Sequence, residues 1–232
     1  MPNSLKPTHS IEIKELLRLA DRKMILQKGQ YLFRESEKAD ELYIIISGKV
    51  QVSKVTSDGR ELCLRICSDN DICGELTLFT ESPYYLLSAL VTEEAEVAAI
   101  RKDTIEKGIF KNSALAFEFI KWMSDHFRKT QMKFRDLVLY GKKGALYSTL
   151  IRMTNSYGVK VSNGILIDLP LTHQELGNFC GISREGTNQL INELKRKGIL
   201  SVNKRKITVH DLSFLKNTIG CEDCPAVYCS IE

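Results

Sequence analysis

The chain has no apolar run near the ~20 residues that a membrane-crossing helix needs. Residues 1–17 mix charges with short apolar stretches and do not form a basic-then-apolar signal segment. A cytoplasmic protein that stays off the membrane is the expectation. Histidine is scarce and scattered, at His9, His126, His173 and His210, so no haem site is assembled by motif. Paired carboxylates, a nucleophile elbow and a glycine-rich phosphate loop are all missing, which argues against an enzyme. Seven cysteines are present but none precedes Cys63. Without an export signal they are not expected to form a disulfide framework, because the cytosol keeps thiols reduced.

With 232 residues, 43% of them hydrophobic, the chain can bury two cores, and two domains are expected. The net charge of +4 is unevenly spread: residues 1–140 hold 21 basic and 21 acidic side chains, whereas 141–220 hold 12 and 5. An excess of positive charge confined to one region favours a polyanion such as DNA.

From about Met24 to Ile100 the sequence breaks into short apolar or alternating runs, such as Glu41-Leu-Tyr-Ile-Ile-Ile46 and Gln51-Val-Ser-Lys-Val55. Turn signals separate them, and Asp58-Gly59 predicts a tight hairpin because glycine supplies positive φ at little cost. Many short strands at this spacing predict a jelly roll or barrel. The period then changes. Neither glycine nor proline occurs from Ser113 to about Leu139, and Ile120, Phe127 and Phe134 recur at one heptad position with Ala116, Met123, Thr130 and Leu137 at another. This predicts a dimer helix with a seam of Ile120, Met123, Phe127, Thr130, Phe134 and Leu137. Gly141-Lys-Lys-Gly144 is the expected hinge. A helix over 145–156 and a short strand over 165–169 follow the hinge.

The segment 171–198 has the layout of a helix-turn-helix. Thr172 with Glu175 forms a capping box, Gly181 allows the turn, Ser183 caps the second helix, and Leu190, Ile191 and Leu194 supply its buried face. Arg184, Glu185, Thr187, Asn188 and Gln189 are left for the outward face. Arg184, Glu185, Asn188 and Gln189 are the candidate base readers, since arginine bonds guanine bidentately and glutamate accepts from cytosine. Thr172, Lys195, Lys197, Lys204 and Arg205 are candidate phosphate contacts, with 204–206 on a wing hairpin ending in Ile207-Thr-Val209.

The last dozen residues hold Cys221-Glu-Asp-Cys-Pro-Ala-Val-Tyr-Cys229. Three thiolates in so short a segment converge on one metal centre, and the Cys-Pro step is common to iron-sulfur loops. Three thiolates with one oxygen or nitrogen donor also suit zinc, which spacing does not exclude. Cys63, Cys67 and Cys73 fall in strand-like sequence and read as core, as does Cys180, the reserve candidate for a fourth ligand.

Nearly the whole chain resembles the CRP-FNR family of bacterial regulators through Glu41-Leu-Tyr-Ile-Ile-Ile-Ser-Gly48, Gly74-Glu-Leu-Thr-Leu-Phe79 and Ser183-Arg-Glu185. The resemblance implies an α+β fold: a β-roll of the cyclic-nucleotide-binding type at 1–110, a dimerisation helix at 111–140, a winged helix-turn-helix at 141–216 and a cluster-binding tail at 217–232. It also implies a transcription regulator, activator or repressor, acting as a homodimer on a TGTGA-type palindrome in double-stranded DNA, with RNA polymerase as a further partner. Members that bind cyclic AMP hold its phosphate with an Arg-Ser pair. Here the matching stretch is Pro83-Tyr-Tyr-Leu-Leu-Ser88, with Tyr85 or Leu87 in the arginine's place, so cyclic nucleotide is not expected. The C-terminal cysteines are similar to those of the Bacillus-type FNR branch. That likeness implies a [4Fe-4S] cluster on Cys221, Cys224 and Cys229 with Asp136 as fourth ligand, and a response to oxygen in anaerobic metabolism. On its own residues, Asp136 beside Lys133 and Arg135 reads as a solvated helix carboxylate. A structural zinc or thiol redox switch is the alternative, and an iron-sulfur electron carrier or enzyme the weaker one.

Overall fold

The computed structural model describes residues 15–81, 84–226 and 228–231. His9 and most of the N-terminal stretch, Pro83, Val227 of the cysteine motif and Glu232 lie outside the described residues. Two compact units divide at Ser124 and Asp125, and each is described by itself.

The first unit is an antiparallel roll. β1 (Arg22–Leu26), β2 (Tyr31–Phe33), β3 (Glu41–Val55), β4 (Glu61–Cys67), β5 (Ile72–Cys73) and β6 (Ser88–Arg101) form a sheet of order β1-β6-β3-β4, with β2 added on β6 and β5 on β3. β3 and β6 pair almost end to end, from Glu41 opposite Arg101 to Ser53 opposite Ser88, with bulges around Ser47 and Lys49. At the bulge Gly48 has φ 90°, and a Cβ there would stand 2.1 Å from the Glu94 carbonyl, so only glycine fits. The Asp58-Gly59 hairpin is looser than a two-residue turn. Residues 56–60 connect the strands, with Thr56 N–H donating to Arg60 O at 2.8 Å.

Alternation along β3 sends Tyr43 and Ile45 into one core with Phe33, Val50, Tyr85 and Val97, and Leu42 and Ile44 into another with Ile72, Ile100 and Ile105. Both faces of this strand are buried, which accounts for the near-continuous apolar run 42–46. The second core is closed by α1 (Lys102–Lys111) and by Leu115, Phe119 and Trp122, on the first turns of α2 (Ser113–Tyr157). The opening turns of the long helix thus pack on the roll, while Ile120 on the adjoining face is exposed. Cys63, Cys67 and Cys73 are buried in this unit.

α2 leaves helical geometry at the expected hinge, at Gly141 (φ 58°, ψ −148°), and resumes beyond it to Tyr157, as expected for 145–156. In the second unit the rest of α2 is followed by β7 (Gly158–Val161), β8 (Gly164–Ile167), α3 (His173–Cys180), α4 (Arg184–Arg196), β9 (Leu200–Asn203), β10 (Lys206–Val209) and α5 (Leu212–Thr218). The four strands make a sheet of order β7-β8-β10-β9. β8 ends at Ile167, short of the strand expected over 165–169, and Asp168 N–H still donates to Tyr157 O at 2.8 Å.

Candidate nucleic-acid interface and cysteine site

Local rules position the DNA-reading helix. Thr172 Oγ1 accepts from Glu175 N–H at 3.1 Å while Glu175 Oε2 accepts from Thr172 N–H at 2.7 Å, a complete capping box for α3. Gly181 takes the left-handed conformation the turn needs (φ 65°). Ser183 Oγ accepts from Gly186 N–H and starts α4. The two helices approach so closely that a Cβ at Gly177 would meet Ile182 O at 2.6 Å and Thr187 Oγ1 at 2.9 Å.

Thr187 therefore belongs to the packing between the helices and not, as expected, to the outward face. It is 0% exposed, and its hydroxyl donates to Ser183 O at 3.0 Å. Arg184, Glu185, Asn188 and Gln189 are all exposed at the start of α4, and Glu185 lies in its first turn, where a negative side chain suits the helix dipole. Leu190 is only half-buried, whereas Ile191 and Leu194 are buried.

The phosphate candidates divide. Lys195 is exposed, while Lys197 pairs with Glu193 at 2.8 Å, and the Thr172 hydroxyl is committed to its capping box, donating to Glu175 at 2.7 Å. Lys204 and Arg205 are the two central residues of the β9–β10 hairpin, since Asn203 pairs with Lys206. Both have positive φ, 46° and 65°. This is the backbone for which Asn-Gly is the usual choice, and placing two long cations there costs on the order of 1 kcal/mol each. The two-residue turn sets that backbone, and Leu171 N–H donates to Arg205 O at 2.9 Å. The turn holds two exposed cations at the hairpin tip.

The Gly141 break builds the second site. Asp136 and Arg152 are separated by 16 residues, about 24 Å along an unbroken helix, yet Arg152 Nη2 donates to Asp136 Oδ2 at 3.0 Å. The chain folds back after Gly141. Gly144 lies so close to the preceding turns that a Cβ would meet Asp136 O and Tyr140 Cβ, both at 2.4 Å. The expectation of a solvated Asp136 is thereby corrected: the residue is 2% exposed, gripped by Arg152, itself 3% exposed, and by Arg135 at 2.9 Å. The Arg135 guanidinium is held above its usual pKa by that hydrogen bond.

The tail returns to the same place. Arg135 also pairs with Glu222 at 2.8 Å, between Cys221 and Cys224. Asn155 Nδ2 donates to Cys229 O at 2.6 Å, and Ile231 N–H to Ser156 Oγ at 3.0 Å. The Arg128 guanidinium covers the Tyr228 ring at 4.7 Å. Gly220, at φ 54°, passes the Tyr140 hydroxyl where a Cβ would stand 2.7 Å away. Cys229 is buried, and its thiol is pushed up to about 12 by desolvation and by the neighbouring Cys224 and Cys221 sulfurs. Cys180 sits against Thr149, and burial pushes its thiol to about 12 as well.

Among the described residues, no three His, Cys, Asp or Glu side chains already stand in metal-holding geometry. The residues nevertheless fit a thiolate-ligated centre. The Cys229 sulfur interacts with those of Cys224 and Cys221, and the buried Arg152, which holds the Asp136 carboxylate, has an Nε without a hydrogen-bond partner. Such a centre requires Asp136 to release a guanidinium. Composition did not point to Arg135 and Arg152. The usable signal was a charged residue inside the buried run Leu150-Ile-Arg-Met153.

In the roll, a cavity of about 20 Å³ is lined by Arg65, Gly74, Glu75, Tyr85 and Leu87, room for about one water. Neither Tyr85 nor Leu87 supplies a cation there, as expected, but Arg65 from β4 does. Arg65 donates to both Glu75 oxygens at 2.8 Å and to Ile72 O. The Tyr85 ring stacks on Phe33 at 4.0 Å, and its hydroxyl donates to Glu41 O.

A capped helix-turn-helix with a wing, following a β-roll and a long helix, defines a DNA-binding transcription regulator. The Cyclic nucleotide-binding domain model matches residues 23–112, and the Crp-like helix-turn-helix domain model residues 145–218. The chain is 52% identical over 224 residues to the Anaerobic regulatory protein of Bacillus subtilis (strain 168), covering 96% of this chain and 94% of that one. It is 27% identical to the Global nitrogen regulator of Nostoc sp. (strain PCC 7120), covering 79% and 83%. The c-di-GMP responsive global regulator CLP of Xanthomonas campestris superposes with a TM-score of 0.76 at 22% identity, covering 87% of this chain and 99% of that one, a likeness of fold. The chain belongs to the CRP-FNR family of transcription regulators.

Proposed function

We propose that this chain is an oxygen-responsive activator of anaerobic metabolism, working in the cytoplasm as a homodimer and sensing through a [4Fe-4S] cluster on Cys221, Cys224, Cys229 and Asp136. The observation that carries this reading is the return of the tail. Cys229 is buried on the turn carrying Asn155 and Ser156, and Arg135 joins Glu222 of the same tail to buried Asp136. The cluster supplies an oxygen-labile fastening. The chain's own residues bring the donors together: Gly141 reverses the helix, Gly144 allows close approach, and Arg135 and Arg152 keep the carboxylate in place. The 52% identity to an anaerobic regulator supports the physiological side.

Homodimer formation is supported by the exposed row Ile120, Phe127, Thr130, Phe134 and Leu137, with Met123 partly buried beside it. A heptad-spaced apolar face of this length is suited to a second copy. Twofold pairing places two recognition helices on half-sites of a palindrome, and exposed Arg184 and Glu185 suit a TGTGA half-site. RNA polymerase is the partner through which such an activator works. Cyclic nucleotide is not the expected ligand: among the described residues lining the cavity the cation is Arg65, and Glu75 occupies it.

The test is purification without oxygen, followed by iron and sulfide analysis, visible absorption and binding to a TGTGA palindrome, before and after air. The expected result is a brown protein that bleaches in air and then releases DNA. A colourless zinc protein indifferent to air overturns the reading.

A further inference from the structure

Arg152 is 3% exposed and lies in an otherwise apolar run. One nitrogen, Nη2, donates to Asp136 at 3.0 Å, while Nε has no partner among the described residues. An unpaired N–H on a buried guanidinium is costly, on the order of 1–3 kcal/mol or more for a charged group, and persists where an acceptor is to be supplied. The acceptor chemistry is close by. Asn155, three residues along α2, holds the Cys229 carbonyl at 2.6 Å. Arg128 and Arg135 flank the same tail, one on the Tyr228 ring and one on Glu222. Four anionic ligands around a cubane leave a net negative centre, and burying one without counter-charge is strongly unfavourable.

We propose, resting on the cluster reading of this site, that Arg152 is its positioning and charge-compensating residue. In the cluster-free chain Arg152 holds Asp136. With the cluster in place Nε–H donates to an anionic sulfur of the centre, and the guanidinium charge offsets the centre's charge. Arg152 thereby favours assembly and raises the reduction potential, because the reduced centre carries one more negative charge and gains more from a nearby cation.

The experiment compares wild type, Arg152→Lys and Arg152→Gln, all full-length and purified without oxygen. Iron and sulfide per chain, the midpoint potential and far-UV circular dichroism are measured. The expected series is a fall in potential and in iron content from wild type through Arg152→Lys, which keeps the charge and loses Nε, to Arg152→Gln. A folded Arg152→Gln protein with wild-type iron content and potential overturns the proposal and leaves the cluster reading intact. A wild-type protein without iron and sulfide overturns both. Should Arg152→Gln fail to fold, Arg152→Lys decides: a potential below wild type supports the role, and an unshifted one overturns it.

Discussion

The two functional regions of the C-terminal unit are built on opposite principles. In the helix-turn-helix every local device is complete: the box at Thr172 and Glu175, the left-handed Gly181, the Ser183 cap and the buried Thr187 fix two helices before any ligand arrives. The reading side chains need only be exposed on that frame, and Arg184 and Glu185 are. At the cysteine tail the groups are present but provisionally engaged. Asp136 is gripped by two arginines, Cys229 is a buried thiol and Arg152 Nε lacks a partner. A site that reads a preformed polymer can be finished in advance. One proposed to admit an anionic centre keeps exchangeable pairs in its place.

The largest expected effect breaks the provisional side. Asp136→Ala leaves the Arg152 charge buried and unpaired, and removing one member of a buried pair costs about 3–5 kcal/mol. The metal-free variant should unfold at lower denaturant than wild type, and the anaerobically purified variant should lose its oxygen response. Removing the other ion pair in the same cluster makes the contrast. Glu222→Ala deletes a carboxylate that is 73% exposed and should change stability by less than about 1 kcal/mol. Equal losses from both variants would falsify the distinction between buried and exposed partners.

The next effect comes from pH. Cys229 and Cys180 are both held up to about 12 against an ordinary 9.0. A group whose folded pKa is raised contributes stability that is full below its unfolded value and is lost as pH rises through the folded one. The metal-free protein should therefore weaken between about pH 9 and 12, as seen in denaturation midpoints across that range. Cys180→Ala should make the decline shallower, and a midpoint independent of pH across the window would count against burial of these thiols.

Breaking the finished side is milder. Arg184→Ala should weaken binding to a palindrome by about 1–3 kcal/mol and relax base preference at one position of each half-site. Fluorescence anisotropy on matched and mismatched duplexes measures both. A uniform loss on all duplexes would assign Arg184 to the phosphate backbone.

Much of this was legible from sequence because it rests on local rules. The strand run 42–46, the capping box and the turn glycine follow from periodicity and cap chemistry within a few residues, and their positions match the structure. The pairing of Asp136 with Arg152 was not legible. It depends on a reversal at Gly141 whose direction no pattern specifies, so a helix carboxylate with basic neighbours read as solvated. Thr187 was misplaced for a different reason. Its spacing, four and seven residues before Ile191 and Leu194, places it on the buried face; the polar side chain masked that, and the close approach at Gly177 is what packs it against α3. Likewise the strained turn at Lys204 and Arg205 is invisible to turn statistics, which favour asparagine and glycine there.

That turn gives the smallest effect and the sharpest form of the comparison, because it is the one place on the DNA-reading side where a local rule is broken. Replacing Lys204-Arg205 by Asn-Gly supplies the residues a two-residue hairpin with positive φ prefers. Relief of the strain at the two positions should raise stability by about 1–2 kcal/mol, read as a higher thermal midpoint. The same change deletes two exposed cations, so DNA binding should weaken similarly on specific and non-specific duplexes, and the salt dependence should flatten by about one unit of slope for each phosphate no longer neutralised. Higher stability with weaker, less salt-sensitive binding would mean that the wing trades backbone strain for charge placement. Unchanged binding would remove both residues from the interface and leave α4 and its flanking lysines to hold the phosphates.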